Sequence, residues 1–272
     1  LYTVVVFPNI KVNIGLRVVR KRSDGYHDIE SIFYPVPLQD VLEMVPSGDD
    51  DFRLTIEGAE IPPGGTNTIE KAWQIVKEEY DIPGVHAAVL KHIPAGAGLG
   101  GGSSNGAFAL RLFNDLFELQ LSTERMEEFA LRIGSDCPFF IRNQPAWVTG
   151  RGEQMETVQE LLSGYHILLV NPGIHVGTAE AYGTLTPKDP GSDLLSLYLN
   201  SPIEEWRDSV INDFEAGIFP RHPRIGQIKE ELYERGAVFA SMSGSGSTVF
   251  GLFREEPHTN GFHTCFVWKG SL

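Results

Sequence analysis

From the amino end, apolar positions first recur with the period of a pleated strand. "TVVVF" (3–7), "KVNIGLRVV" (11–19), "DIESIFYPV" (28–36) and "DVLEMV" (40–45) are β-branched or alternating runs. Such runs, parted by turn chemistry like "SDGYH", predict strands. "SGDDD" and "IPPGGTN" read as loops. The period then lengthens. From Asn67 to about Tyr80, Ile69, Ala72, Trp73 and Val76 share one helical face, with Thr66 or Asn67 as the cap. "VHAAVLKHIP" (85–94) returns to alternation and predicts a strand that delivers the chain to a glycine-rich loop. From Ser104, Ala107, Phe108, Leu110, Phe113, Leu116 and Phe117 predict a helix, and "TERMEEFALRI" another, closed by Gly134.

The second half begins with an apolar segment after Asp136, which predicts a buried strand. The strand-like "AWVTG" and "YHILLVNP" follow, then a Gly/Pro/Asp-rich stretch near 183–193. "IEEWRDSVINDFEAGIF" and "RIGQIKEELYERG" predict helices, and "FASMSGSGSTVFGLF" a strand, a glycine turn and a second strand. Strands first and helices second, repeated in each half, predict an α+β protein rather than strict βαβ alternation. A boundary near 150–165 divides the chain into a first part, 1–155, and a second, 156–272.

Composition narrows the function classes. The 272 residues are 42% hydrophobic and 21% charged, with a formal net charge of −14. Broad nucleic-acid binding needs a basic face, so no nucleic-acid partner is expected. A phosphate-bearing small molecule stays open, because a local nest of backbone N–H groups can oppose the global field. Two cysteines, Cys137 and Cys265, without a CxxC suit a reducing cytoplasm. "LYTVVVF" is too short for a secretory core and runs into Pro8. No run approaches the roughly 20 apolar residues of a membrane span, so no membrane partner is expected. The eight histidines form no HExxH, which argues against a protein-held zinc.

The candidate chemistry centres on "PAGAGLGGGSS", residues 94–104. A Walker loop needs a lysine before Ser103, and Gly102 stands there. Gly96, Gly98 and Gly101 fit a dinucleotide fingerprint. That motif belongs in the first strand–helix turn of a doubly wound sheet, with an acidic residue ending a strand about 20 residues on. Here a helix, "NDLFELQ", occupies that place. What remains is an anion nest at a helix N-terminus, in which glycines let the backbone approach phosphate oxygens without Cβ interference.

The loop, continued as "PAGAGLGGGSSNGA", is similar to the phosphate loop of the GHMP kinases. "FPNIKVNIGL", "SDGYHDIESIF", "GSDCPFFI", "NPGIHVGTAEAY" and "SMSGSGSTVFGLF" resemble one branch, which phosphorylates the 2-hydroxyl of a cytidine-diphosphate-linked methylerythritol on a route to isoprenoid precursors. These segments occur in that branch's order over nearly the whole chain. The resemblance implies a two-lobed α+β fold, with an N-terminal nucleotide lobe of the ribosomal-protein type and a C-terminal ferredoxin-like substrate lobe. It implies ATP and Mg²⁺ as cofactors and a small-molecule acceptor, and leaves monomer or homodimer open.

Roles follow from the resemblance residue by residue. Pro94, Gly96, Gly98, Leu99, Gly100, Gly101, Gly102, Ser103 and Ser104 would cradle the nucleotide, Ser103 or Ser104 reaching the metal. Asn67 would lie near the adenine. Asp136 alone reads as a cap or turn residue; the resemblance makes it the base that takes the acceptor hydroxyl's proton. Lys11 alone reads as a solvated strand residue; the resemblance places it beside the reacting hydroxyl. Asn13, two residues on, shares its strand face. Tyr26 would stack on cytosine and His27 hydrogen-bond its edge. Tyr182 would close the sandwich, and Thr178 would touch the diphosphate or methylerythritol. "SGSGS" at 243–247 resembles the family's C-terminal glycine motif and would otherwise be only a hairpin turn. Two departures are visible. "NIKVN" replaces the commoner "PAKIN" or "NAKIN" but keeps Lys11 and Asn13. Gly106 stands in the helix after the loop, where it costs up to about 1 kcal/mol against alanine. The rival classes are another GHMP small-molecule kinase, of homoserine or mevalonate type, and a non-catalytic nucleotide-binding protein of that fold.

Overall fold

A computed structural model describes residues 4–59, 66–185 and 193–272. The loop expected at 61–67 falls outside these residues at 61–65, and the stretch near 183–193 does so at 186–192. The alternating amino-terminal runs form β1 (Val4–Val6), β2 (Asn9–Lys21), β3 (His27–Gln39) and β4 (Val41–Pro46). They are followed by β5 (Phe52–Gly58), α1 (Thr68–Lys77), β6 (Val85–Lys91), α2 (Gly101–Leu116), α3 (Thr123–Ile133) and α4 (Cys137–Arg142). Next come β7 (Ala146–Thr149), β8 (Gln154–Thr157), β9 (His166–Asn171), α5 (Thr178–Gly183) and α6 (Leu194–Asn200). A 3-10 turn (Ile203–Asp208) precedes α7 (Glu215–Arg221), α8 (Pro223–Glu234), β10 (Phe239–Met242), β11 (Val249–Phe253) and β12 (Phe266–Ser271). Helices and mostly antiparallel sheets occur in both halves, as α+β.

Among the described residues, three four-stranded sheets organise these elements, in the orders β1-β4-β6-β5, β2-β3-β7-β8 and β10-β11-β9-β12. β5 runs parallel to β6, with Phe52 opposite Val85; β4 pairs antiparallel to its other edge, with Leu42 opposite Val89. In β6 the alternation is strict: Val85, Ala87, Val89 and Lys91 are buried, and the residues between them are exposed.

By internal contacts the chain forms two compact units. The first comprises the described residues of Leu1–Ile10, Leu38–Ala95 and Gly100–Asn143; the second, those of Lys11–Pro37, Gly96–Leu99 and Gln144–Leu272. The units interleave along the sequence, because β2 and β3 pair with β7 and β8 rather than with β1 and β4. The first unit buries the apolar faces of α1, α2 and α3, including Ile69, Val76, Leu110, Phe113 and Phe129. The second has a core around Leu168, Val170, Ile225, Ile228, Met242 and Val249.

Two expectations are corrected. The segment after Asp136 is the helix α4, not a strand. Residues 137–141 are all buried, so no alternation separates the two readings, and Pro138 in the first turn suits a helix start. The expected helix over 203–219 is broken. The backbone at 211–213 instead bonds to β2: Leu16 N–H donates to Ile211 O at 2.9 Å, and Asp213 N–H to Leu16 O at 2.8 Å. Those tertiary bonds replace helical ones. The structure adds β5, β8, α5, α6 and β12, which the patterning above does not predict, although β5 does alternate at Phe52, Leu54 and Ile56.

Gly106 also changes its meaning. A Cβ there would stand 3.0 Å from Thr68 Cβ and 3.1 Å from Ile133 Cγ2. The glycine lets α2 approach α1 and α3 closely.

Candidate active site

In the first unit, β6 ends at Lys91 and α2 begins at Gly101, so the sequence delivers the glycine loop between a strand end and a helix start. Gly96, Gly98 and Gly100 have φ of +64°, +77° and +72°, a region that glycine enters without Cβ strain. The first N–H groups of any α-helix lack intrahelical partners and carry a positive partial charge. Those of the 16-residue α2 follow directly on Gly100. The first turn is tied to α1 by Thr68 Oγ1, which donates to Gly102 O at 2.7 Å. Ser104 is fully buried, and its Oγ has no hydrogen-bond partner among the described residues. A buried hydroxyl left unpaired is costly unless something else pairs it.

Asn67 caps α1, its Oδ1 accepting from Ile69 N–H at 2.9 Å. The cap role is realised. Asp136 occupies the cap position of α4 without making a side-chain cap bond, and accepts from Ser135 Oγ at 3.3 Å. Next to it, Cys137 is fully buried, and burial pushes its thiol up to about 12, Ser103 pulling weakly the other way.

In the second unit, Lys11 and Asn13 lie on one face of β2, both buried. Lys11 Nζ donates to Asn13 Oδ1 at 2.6 Å and stands 4.2 Å from the Phe33 ring centroid. Asn13 Nδ2 donates to Ser31 Oγ at 2.9 Å, and Ser31 Oγ to Gly15 O at 2.6 Å. This chain fixes which way the Asn13 amide points. Lys11 N–H donates to Leu99 O at 3.0 Å, and Ser243 Oγ to Gly98 O at 2.8 Å. Lys11, Asn13, the 96–99 part of the loop and the "SGSGS" turn are therefore brought together. A Cβ on Gly98 would be driven into the Ser243 carbonyl oxygen.

The aromatic residues also gather in this unit. His27 and Tyr182 stack, ring centroids 4.6 Å apart and planes 20° from parallel, and Tyr182 meets Phe214 edge-on at 5.0 Å. Thr178 and Tyr182 lie one turn apart on α5, on the same face. Tyr26 is 57% exposed, with the Arg151 guanidinium carbon 4.9 Å from its ring centroid. The His27 imidazole is held below its usual range by burial, with Lys21 adding to the effect.

Sequence reasoning missed the groups that hold the "SGSGS" turn. Asn212 Nδ2 donates to Met242 O at 2.7 Å and Gly244 O at 2.8 Å. Glu215 accepts from Met242 N–H at 2.8 Å and pairs with Lys229 at 2.5 Å. The visible signal was "INDFE", three polar groups in a segment that otherwise looked like a continuous helix.

Comparison with known proteins gives this geometry a lineage. The profile of the GHMP kinases N terminal domain matches residues 67–144, and that of the GHMP kinases C terminal domain residues 199–260. A protein of Parabacteroides distasonis named 4-diphosphocytidyl-2-C-methyl-D-erythritol kinase is 47% identical over 98% of this chain and 99% of its own. A Porphyromonas gingivalis protein of the same name is 44% identical over 98% and 99%. A crystal structure of 4-(cytidine 5'-diphospho)-2C-methyl-D-erythritol kinase superposes with a TM-score of 0.82, at 29% identity over 98% of each chain. A homoserine kinase from Cytophaga hutchinsonii, at 15% identity and a TM-score of 0.71 over 97% of this chain and 95% of its own, shares the fold. The matching profiles and full-length relatives define a kinase that phosphorylates an alcohol. The chain belongs to the GHMP kinases, and among them it groups with the 4-diphosphocytidyl-2-C-methyl-D-erythritol kinases. Membership implies ATP as the phosphoryl donor.

Proposed function

We propose that the protein transfers the γ-phosphoryl group of ATP to the 2-hydroxyl of 4-diphosphocytidyl-2-C-methyl-D-erythritol, in the supply of isoprenoid precursors. The observation that carries the acceptor's identity is the stacked His27–Tyr182 pair with exposed Tyr26 alongside it in the sequence. Stacking plus hydrogen bonds to ring edges is how proteins read an unpaired base. The names of the full-length relatives point the same way.

Phosphoryl transfer asks for a phosphate cradle, a proton acceptor and positive charge near the nucleophile. The backbone N–H groups of Gly98 to Ser103 supply the cradle, with Pro94 and Gly96 shaping its entry and Asn67 near the adenine. Asp136 takes the proton from the acceptor hydroxyl as it attacks. Lys11 stabilises the charge that develops on that oxygen, and Asn13 orients it. His27 reads the cytosine edge as a neutral imidazole, in keeping with its lowered pKa. Tyr26 and Tyr182 stack, and Thr178 contacts the diphosphate or the methylerythritol.

Among the described residues no group of three or more His, Cys, Asp or Glu could hold a metal alone. The unpaired Ser104 Oγ is a hard oxygen of the kind Mg²⁺ prefers, so Ser104, or Ser103 beside it, fits a magnesium ion carried in on the nucleotide. Such an ion, when bound, offsets the charge of the β- and γ-phosphates. Nucleotide binding is assigned to the loop-bearing first part of the chain. Acceptor recognition goes to the second part together with Lys11–Pro37, which fold in the same unit. The free cysteines fit a cytoplasmic setting.

A turnover assay tests the reading. Purified protein with Mg-ATP and the cytidine-linked acceptor should release ADP and form the 2-phosphate, with CDP competing against the acceptor. Turnover of homoserine or mevalonate instead, indifferent to CDP, would overturn the acceptor. ATP binding without any turnover would overturn the catalytic roles.

A further inference from the structure

Away from the residues given roles above, the first unit buries a charged cluster. Asp40, between β3 and β4, is completely buried; Lys91 at the end of β6 and Asn105 in the first turns of α2 are 5% and 4% exposed. Asp40 Oδ1 accepts from the backbone N–H groups of His92 at 2.8 Å and Ile93 at 3.0 Å. Asp40 Oδ2 accepts from Asn105 Nδ2 at 3.0 Å and from Lys91 Nζ, which also donates to Asn105 Oδ1 at 2.8 Å. A carboxylate offers about four lone-pair sites, and four donors fill them.

Stability alone is a poor reason for such a cluster. Desolvating two charges commonly cancels their attraction, and an apolar replacement of similar volume is often as stable. Burial indeed lowers the Lys91 pKa, with Asp40 opposing. What singles the cluster out is where its partners stand along the chain. His92 and Ile93 immediately precede Pro94, and Asn105 immediately follows Ser104. One carboxylate therefore grips both ends of the glycine loop. Between those ends, positive-φ glycines at 96, 98 and 100 leave the backbone few steric constraints of its own. A nest of N–H groups binds an anion well only if its geometry is set beforehand.

We propose that Asp40, Lys91 and Asn105 are positioning residues that fix the two ends of the 94–104 loop at the separation its N–H groups need to grip the phosphates of ATP. This rests on the reading of that loop as the ATP-phosphate cradle. Asn105 is the member to change, because Asn105→Ala frees the α2 end and leaves the Asp40–Lys91 pair and both backbone bonds in place.

The experiment measures binding of the non-hydrolysable analogue AMP-PNP with Mg²⁺ by calorimetry, and separately KM for ATP and for the acceptor. Asn105→Ala should weaken AMP-PNP and raise KM for ATP about tenfold, with KM for the acceptor within about twofold. Asn105→Ser, which keeps an oxygen for Lys91, should shift both in the same direction by less and covers the case in which the alanine variant does not fold. A role in general stability would lower the melting temperature and leave the two KM values unchanged, or move them together; either result overturns the proposal. If the unchanged protein turns over yet Asn105→Ala binds AMP-PNP equally well, only the positioning role fails. If the unchanged protein binds no AMP-PNP, the cradle reading fails and this proposal with it.

Discussion

Asp136 illustrates what a single position can and cannot reveal. Its neighbours suggested a capping residue, and it does occupy the cap position of α4, yet its side chain makes no cap bond there. Asp136→Asn is expected to lower kcat by about 10²- to 10⁴-fold; an active variant would remove Asp136 from the mechanism. His27 makes a second test at this scale. Its pKa lies below 6.5 in the folded chain, chiefly through burial. As pH falls through 6.5 the unfolded chain takes up that proton first, so stability present above 6.5 is lost as pH drops toward the folded pKa. An NMR titration of the His27 ring should give a midpoint below 6.5; one above it would contradict the half-buried, stacked environment.

At the scale of elements, helix propensity and packing disagree at Gly106. Propensity alone says that Gly106→Ala should stabilise α2 by up to about 1 kcal/mol. The added methyl would press on Thr68 and Ile133 at 3.0 and 3.1 Å, and overpacking a filled site destabilises. The variant should melt below the parent, and a higher melting temperature would show that α1 and α3 can yield. Much of this level was legible. The alternation of β6 and the helical face of α1 follow from local periodicity, because one face of each is buried and the other is not; β10 and β11, buried throughout, were legible from their apolar runs and the glycine turn "SGSGS" between them. α4 and the interrupted 203–219 segment were not legible. The first is buried all round, and the second is set by backbone bonds to Leu16, nearly 200 residues away in sequence.

At the scale of the molecule, a protein with net charge −14 is expected to bind two polyanions, ATP and a cytidine diphosphate derivative. Each must meet local N–H groups or side-chain cations rather than a favourable overall field. If the two sites are distinct, AMP-PNP with Mg²⁺ and CDP should each raise the melting temperature, and together raise it further, since any ligand of the native state alone stabilises it by mass action. A CDP effect that vanishes once AMP-PNP is saturating would mean that both occupy one site.

The sequence by itself determined the α+β class, the glycine loop with its helix start, and the identity of Lys11, Asn13, His27, Tyr182 and Asp136 as candidates. These are features of local period, of glycine's freedom at positive φ and of motif order. Only the tertiary structure decided that β2 and β3 fold with β7 and β8, and that Asn13 meets Ser243. It alone showed that Asn212 carries the "SGSGS" turn and that Asp40 spans the loop from residue 92 to residue 105. The reason is physical. Periodicity records which face of an element is buried, but not against what. A buried carboxylate 51 positions from its lysine leaves no short-range trace in the chain.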